Sequence, residues 1–148
     1  MALATHEVTA EDEIRELLDS WLKAVKVKDV ERIMSHYARD VVAFDAIKEL
    51  QFKGIEAYGA HWKACMEMCP GEMTFEMHEL DVQAGSDIAF CRYIGHCGGT
   101  DDKGQEQSGW MRATICLRKA GGRWQIAHEH YSAPFDCESG KALTDLKP

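Results

Sequence analysis

The hydrophobic pattern of this chain changes once, close to Pro70, and that change constrains the fold more than any other feature. Before Pro70, apolar residues recur every three or four positions, as they do on one face of an amphipathic helix. After Pro70, four long segments with the composition of strands are separated by short glycine-containing turns. Helices followed by consecutive strands predict an α+β fold in which helices cover one face of a mainly antiparallel sheet.

The first half of the chain contains three predicted helices and two short extended segments. Thr9 and Asp29 are suitable N-caps for the first two helices, and Pro70 ends the third because proline disrupts an α-helix. We expect helices over about residues 10–27, 30–37 and 55–69, with extended segments at 41–45 and 50–53.

The second half of the chain is predicted to form an antiparallel meander of four strands. These strands cover residues 73–84, 87–97, 107–119 and 123–132. A chain of 148 residues, 45% of them hydrophobic, can fill one core. We therefore expect a single domain over residues 1–148, with its core at about 10–133 and a tail at 134–148.

The net charge limits the partners of the chain. Seventeen basic and 25 acidic side chains give a formal charge of -8 at pH 7. A net anion cannot release counterions from nucleic acid or from an anionic membrane, so we expect binding to neither. Because the apolar runs are too short to span a membrane and the first nine residues lack a secretory pattern, we predict a cytoplasmic protein.

Six cysteines are present, and in a cytoplasmic protein we expect all six to be free thiols. His61, Cys65 and Cys69 recur every four residues along one side of the third helix, a spacing that would suit a metal site. No CxxC motif accompanies them, and free cysteine ordinarily behaves as a small buried apolar residue. We therefore predict no metal and no cofactor.

The predicted strand over residues 107–119 has two partly apolar faces. One carries only apolar side chains and the other is mixed: Met111, Ala113, Ile115 and Leu117 against Trp110, Arg112, Thr114 and Cys116. An isolated domain leaves one sheet face polar, so two partly apolar faces indicate that one lines a pocket and the other meets a second subunit. We expect the purely apolar face to form the interface of a homodimer or larger closed assembly.

The residues from Tyr37 to Asp45, with Gly54 nine positions later, resemble the ketosteroid isomerases, and Asp45 occupies the position of their general-base aspartate. Residues 88–92 and 122–132 are similar to the association domain of calmodulin-dependent kinase II and to the SnoaL-like family of ketosteroid-isomerase homologues. The resemblance implies the cone-shaped, cystatin-like fold of the nuclear-transport-factor-2-like superfamily. In that fold, three N-terminal helices pack on a curved sheet around one small-molecule pocket.

Two departures from the isomerase pattern argue against steroid isomerisation. Trp21 stands where the isomerases have an oxyanion-hole tyrosine, and their second donor, a protonated aspartic acid, aligns near residues 112–114. That neutral acid donates a hydrogen bond to the enolate in their reaction. Residues 112–114 of this chain are Arg, Ala and Thr, so the oxyanion hole of the isomerases is absent. The resemblance to the kinase domain instead implies that Arg92 lines the pocket, with further lining residues near Arg112 and Tyr131.

Two pairings of the last two strands are open, because a three-residue loop and a four-residue loop turn opposite faces inward. The longer loop, which starts at Lys119, places Arg112 opposite Glu129 and Trp110 opposite Tyr131. A cross-strand ion pair favours this pairing, and the resemblance implies the same parity. We therefore expect Arg112 and Trp110 to face the pocket.

Asp45 is the predicted catalytic base, because a carboxylate at a partly desolvated pocket mouth can take a proton. The simpler alternative is an aspartate that caps a turn. An arginine among apolar neighbours needs an anion, so the pocket is predicted to attract a small anionic or carbonyl-bearing ligand. The predicted ligand-binding residues are Arg92, Arg112, Glu129, Tyr131, Trp110, Trp62 and His96, for which core packing and structural salt bridges are the alternatives.

Two functions are consistent with these residues. The first is a cofactor-independent isomerase, lyase such as a dehydratase, or cyclase, in which Asp45 removes a proton from a small carbonyl or carboxylate compound. The second is a non-catalytic ligand-binding or oligomerisation domain, like the kinase association domain. Because one fold hosts both uses, the fold cannot decide between them.

Overall fold

The computed structural model describes residue 5 and residues 7–148 of the chain. Its elements, in chain order, are α1 (Ala10–Lys26), α2 (Val30–Met34), β1 (Tyr37–Phe44), β2 (Phe52–Lys53), α3 (Ile55–Met68), β3 (Met73–Ala84), β4 (Ile88–Thr100), β5 (Glu106–Ala120) and β6 (Arg123–Ser132). Helices precede the long strands, as the hydrophobic pattern predicts. The α+β fold class is therefore confirmed.

Local signals place the ends of the helices. Thr9 and Asp12 form a capping box at the start of α1, in which each side chain accepts a hydrogen bond from the backbone of the other. The Asp29 carboxylate accepts from the Arg32 amide and caps α2. Gly54, at a φ of +89°, turns the chain into α3, which ends just before Pro70.

The six strands form one sheet in the order β2-β1-β6-β5-β4-β3. Strand β1 runs parallel to β6, whereas every other neighbouring pair is antiparallel. Helix α1 packs on β3, and α3 packs on β1 and β2. We call the sheet face beneath these helices the inner face and the opposite one the outer face.

The turn between β5 and β6 is shorter than either of the two loops considered above, and the pairing of these strands differs accordingly. Gly121 and Gly122 form a two-residue turn with φ values of +59° and +76°, the left-handed values that a tight hairpin requires. The register then shifts, because Leu117 pairs with Ile126 but Cys116 pairs with His128. Ala127 is the extra residue of this bulge.

The predicted pairing of Arg112 with Glu129 and of Trp110 with Tyr131 is therefore wrong. In the structure, Ile115 lies opposite Glu129, Ala113 lies opposite Tyr131, and Arg112 lies opposite Ser132. The bulge keeps Glu129 on the inner face even though β5 presents its apolar side there.

The predicted interface is also wrong, because the apolar side of β5 belongs to the core of the single chain. Ala113, Ile115 and Leu117 are 3%, 1% and 1% exposed, and Met111 is partly buried. The mixed side of β5, which carries Trp110 and Arg112, forms part of the outer face. The usual rule that the more apolar side faces the helices applies to this strand.

The segment after β6 returns to the sheet. The Trp110 amide donates a hydrogen bond of 2.7 Å to the Thr144 carbonyl, and Phe135 forms a β-bridge with Ala142. The tail therefore lies against β5. None of the helices in the described part of the chain has the length and apolarity needed to cross a membrane.

Candidate functional site

A carboxyl group lies at the centre of the inner face. Glu129 of β6 is 0% exposed, and it reaches this position because the bulge at Ala127 turns it inward. The Tyr37 hydroxyl lies 2.9 Å from both carboxyl oxygens, and the Tyr58 hydroxyl lies 2.5 Å from Oε1. The indole N–H of Trp21 donates to the Tyr37 hydroxyl at 3.1 Å. This network joins α1, β1, α3 and β6.

Burial raises the pKa of Glu129 to about 7, because desolvation penalises the ionised form. Hydrogen bonds from Tyr58 and Tyr37 lower the pKa and offset part of that rise, while the nearby charge of Asp45 raises it further. Burial and the Glu129 charge raise the pKa values of both tyrosines well above their ordinary value, so both hydroxyls keep their protons. Within the described part of the chain, no lysine or arginine lies within salt-bridge distance of Glu129.

Asp45 follows the last residue of β1 and continues the same network. Its Oδ2 atom lies 3.3 Å from the Tyr58 hydroxyl and 3.4 Å from Nε2 of His61. Its Oδ1 atom accepts from the Ile47 amide at 3.1 Å, which fixes the carboxylate in a short turn. The side chains of His61 and Asp45 are only 7% and 14% exposed. The carboxylate is thus oriented by three neighbours but still reachable.

A cavity of about 140 Å³ opens beside Asp45. Asp45, His61 and Tyr131 are the polar residues of its lining, and the rest of the lining is largely apolar: Ile47, Trp62, Cys65, Met73, Phe75, Cys97 and Met111. A second, more open depression of about 410 Å³ shares Asp45 and Tyr131 with it. The Asp45 carboxylate therefore lies at the boundary between an apolar cavity and a wider opening.

The structure brings together four of the predicted site residues. Asp45, Trp62 and Tyr131 line the cavity, and Glu129 lies behind it in contact with Tyr58. Tyr131 is also tied to the inner face, because its hydroxyl lies 2.7 Å from that of Tyr93.

The other four predicted ligand-binding residues lie on the outer face, so their placement in the pocket is wrong. The side chain of Arg92 is 66% exposed and lies 3.8 Å from Asp81, while Arg112 donates to the Ser132 hydroxyl at 3.0 Å. Trp110 and His96 stack on each other with ring centroids 4.4 Å apart. Parity is the reason, since these residues alternate with the buried side chains of β4 and β5. The described residues that line the cavity include no lysine or arginine.

Sequence reasoning missed Tyr37 and Tyr58 as polar members of the site, since both fall at apolar positions of their elements. A buried tyrosine hydroxyl needs a partner, and that requirement was the available signal. His61, named above for its metal-ligand spacing, contacts Asp45 and, at 3.7 Å, the Cys65 thiol. Across residues 5 and 7–148, no group of three or more His, Cys, Asp or Glu side chains is arranged to hold a metal ion. All six cysteines are unpaired.

The raised pKa of Glu129 predicts a pH-dependent stability that a single substitution removes. Between pH 4.5 and about 7 the folded chain holds a proton on Glu129 that the unfolded chain has released, so the stabilisation present at low pH is lost as pH rises through this window. Relative to Glu129→Gln, wild type should therefore lose about 3 kcal/mol of unfolding free energy from pH 4.5 to pH 8. Urea unfolding at both pH values measures this difference, and parallel pH profiles would contradict it.

Comparison with known proteins places the chain in a family. Residues 14–136 match the family model described as a SnoaL-like domain. An NTF2-like protein of unknown function from Pseudomonas putida is 50% identical over 97% of this chain and 100% of its own, with a TM-score of 0.88.

Two more distant structures share the fold. A ketosteroid isomerase-like protein from Erwinia carotovora is 23% identical, with a TM-score of 0.69 over 81% of this chain and 92% of its own. A protein with a cystatin-like fold from Caulobacter vibrioides is 14% identical, with a TM-score of 0.71 over 82% of this chain and 87% of its own. No curated protein is significantly similar in sequence. The chain belongs to the SnoaL-like domain family, within the NTF2-like proteins.

Proposed function

We propose that the protein is a cofactor-independent enzyme in which Asp45 acts as a general base on a small carbonyl compound, as an isomerase, dehydratase-type lyase or cyclase would. One observation carries this proposal. The Asp45 carboxylate lies at the mouth of a cavity that is otherwise largely apolar, and it is held there by His61 and Tyr58 at 3.4 and 3.3 Å. Oriented carboxylates of this kind are effective proton acceptors.

The arrangement supports removal of a proton from the carbon next to a carbonyl group. Asp45 would take the proton, and the electrons of the C–H bond would move onto the carbonyl oxygen. Tyr131 would be the donor for that oxygen, since it lines the cavity and its hydroxyl can accept from Tyr93 while donating to a ligand. Return of the proton to a different carbon completes an isomerisation, and its transfer to a departing hydroxyl completes a dehydration.

The cavity supports a neutral ligand about the size of one ring. Its volume of about 140 Å³ is close to that of an engineered apolar cavity, about 150 Å³, that binds benzene. The prediction of an anionic ligand is no longer supported, because Arg92 and Arg112 lie on the outer face, whereas Asp45 lines the cavity and Glu129 lies behind it. We retain the carbonyl-bearing ligand, the cytoplasmic location and the absence of a cofactor as predictions.

Hydrogen exchange on simple ketones tests the proposal. Cyclopentanone, cyclohexanone and cyclohex-2-enone would be incubated with the protein in D₂O, and loss of their α-proton signals followed by NMR. Wild type should accelerate exchange, and Asp45→Asn should reduce the enzymatic rate by about 100-fold or more, because an amide cannot accept the proton.

The matched control is Asp81→Asn, which removes an equivalent carboxylate from the outer face beside Arg92 and should leave exchange unchanged. Equal exchange by wild type and Asp45→Asn would contradict the catalytic role. Ketone binding without any exchange would favour the alternative, a ligand-binding domain.

We also propose that two copies associate through the outer face, rather than the inner one. Phe44, Ile88 and Phe90 are 38%, 62% and 49% exposed there, which leaves large apolar side chains in water in a single copy. A symmetric dimer would cover them.

Phe90→Glu should convert the dimer to a folded monomer, because a carboxylate would be buried without a partner in the interface but solvated in a single copy. Light scattering measures the mass, for which a monomer is 16.7 kDa. Val27→Glu places the same charge on another apolar residue, 68% exposed at the end of α1, and should remain dimeric. A monomeric wild type at micromolar concentration would refute the proposal.

A further inference from the structure

The Tyr58 hydroxyl lies between two acids but has only one proton to donate. It is 2.5 Å from Oε1 of Glu129 and 3.3 Å from Oδ2 of Asp45. A hydroxyl also has lone pairs, so it can accept from one acid while it donates to the other. The three groups therefore form a hydrogen-bonded chain that can point in either direction.

We propose that Tyr58 passes a proton between Asp45 and Glu129, so that the buried Glu129 stores the proton that Asp45 removes from a substrate. The inference rests on the proposed role of Asp45 as a base. It adds two residues to that chemistry, Tyr58 as the relay and Glu129 as the store.

The transfer balances without any further reactant. Asp45, protonated after it has taken the substrate proton, donates that proton to the Tyr58 oxygen. In the same step Tyr58 gives its own proton to the Glu129 carboxylate. Tyr58 ends neutral, Asp45 is again a carboxylate, and Glu129 is a neutral acid; the reverse shift restores the starting state. Total charge does not change.

The surroundings of Glu129 suit a group that gains and loses a proton near neutral pH. The groups that face it are tyrosine hydroxyls, a thiol and one other acid: Tyr37, Tyr58, Tyr93, Tyr131, Cys91 and Asp45. Burial raises the pKa of Cys91 to about 12 and those of the tyrosines well above their usual value, so among these described groups Asp45 is the one that shares the charge with Glu129. Glu129 itself, with a pKa of about 7, can exist in either form.

Tyr37 provides a matched control for Tyr58. Both hydroxyls lie within 2.9 Å of the Glu129 carboxyl group, and both tyrosines are fully buried, but only Tyr58 lies within hydrogen-bond distance of Asp45. Tyr37→Phe thus removes a hydrogen bond to Glu129 and leaves the bridge, whereas Tyr58→Phe removes both. A purely structural role for the two hydroxyls would make the two variants behave alike.

The first measurement needs no substrate. Carbon-13 NMR of labelled carboxyl groups follows Asp45 and Glu129 as pH is changed. In wild type and in Tyr37→Phe, the Asp45 signal should move at the pH where Glu129 titrates, because Tyr58 donates to Asp45 when Glu129 is protonated and to Glu129 when it is ionised. In Tyr58→Phe this response should fall by more than half, leaving only the effect of charge. An unchanged response in Tyr58→Phe would overturn the proposal.

The second measurement uses the ketone exchange assay, in which Asp45 must pass on the abstracted proton and take up a deuteron from solvent before the carbon is reprotonated. The wild-type rate should rise through pH 7 as Glu129 ionises and can receive the proton. In Tyr58→Phe and Glu129→Gln the exchange rate should no longer rise through pH 7. At pH 8 it should be about tenfold below that of wild type. In Tyr37→Phe the exchange rate should still rise, but at a higher pH, because this variant loses a hydrogen bond that stabilises ionised Glu129.

The outcomes separate the two proposals. If Asp45→Asn abolishes exchange but Tyr58→Phe exchanges at the same rate as Tyr37→Phe, the proposed relay is wrong and the role of Asp45 as the base still stands. If no ketone exchanges, the proposed function fails, and the NMR titration alone decides whether the acids share a proton. Circular dichroism of each variant identifies any that fails to fold.

Discussion

The burial of one carboxyl group among tyrosine hydroxyls is the interaction on which the inner face depends. Removing Glu129 from water costs several kcal/mol if the group is ionised, and no cation in the described chain offsets that cost. Hydrogen bonds from Tyr37 and Tyr58 are the compensation, and they require β1, β6 and α3 to meet at one point. The same requirement fixes Tyr58 against Asp45, so the polar core and the candidate site are one structure.

A single bulge makes this arrangement possible. Strand β6 places Trp124 and Ile126 on the inner face near the hairpin, and without an extra residue Glu129 and Tyr131 would then point outward. Ala127 absorbs that mismatch, so one strand supplies apolar residues to the core at one end and polar groups to the cavity at the other. The acid is thus held by the sheet itself and not by a loop, which favours a constant geometry.

The sequence predicts the fold well, but only half of the predicted site residues lie at the candidate site. Periodicity before and after Pro70 identifies the helices and strands, and Asp45 follows from its position at the end of an apolar strand. Arg92 and Arg112 do not lie in the predicted pocket, because the apolar side of β5 packs in the core, and neither the cross-strand ion pair nor the parity implied by the family resemblance holds. Adjacent glycines signalled a two-residue turn, but a bulge six residues later has no comparable signal. Tyr58 looked apolar because a helix position does not reveal where a hydroxyl points.

Two acids in one hydrogen-bonded chain need different environments if they are to have different roles. Asp45 lies at the edge of the cavity, where the Ile47 amide and His61 contact it and water can reach it. Glu129 is sealed behind Tyr58 and titrates at a higher pH than an ordinary glutamate. A base at the edge of a cavity and a buried acid with a hydroxyl between them can exchange a proton without opening the core to solvent. That separation explains why a fold of this size would keep an ionisable group in its centre, where an apolar residue would otherwise pack at lower cost.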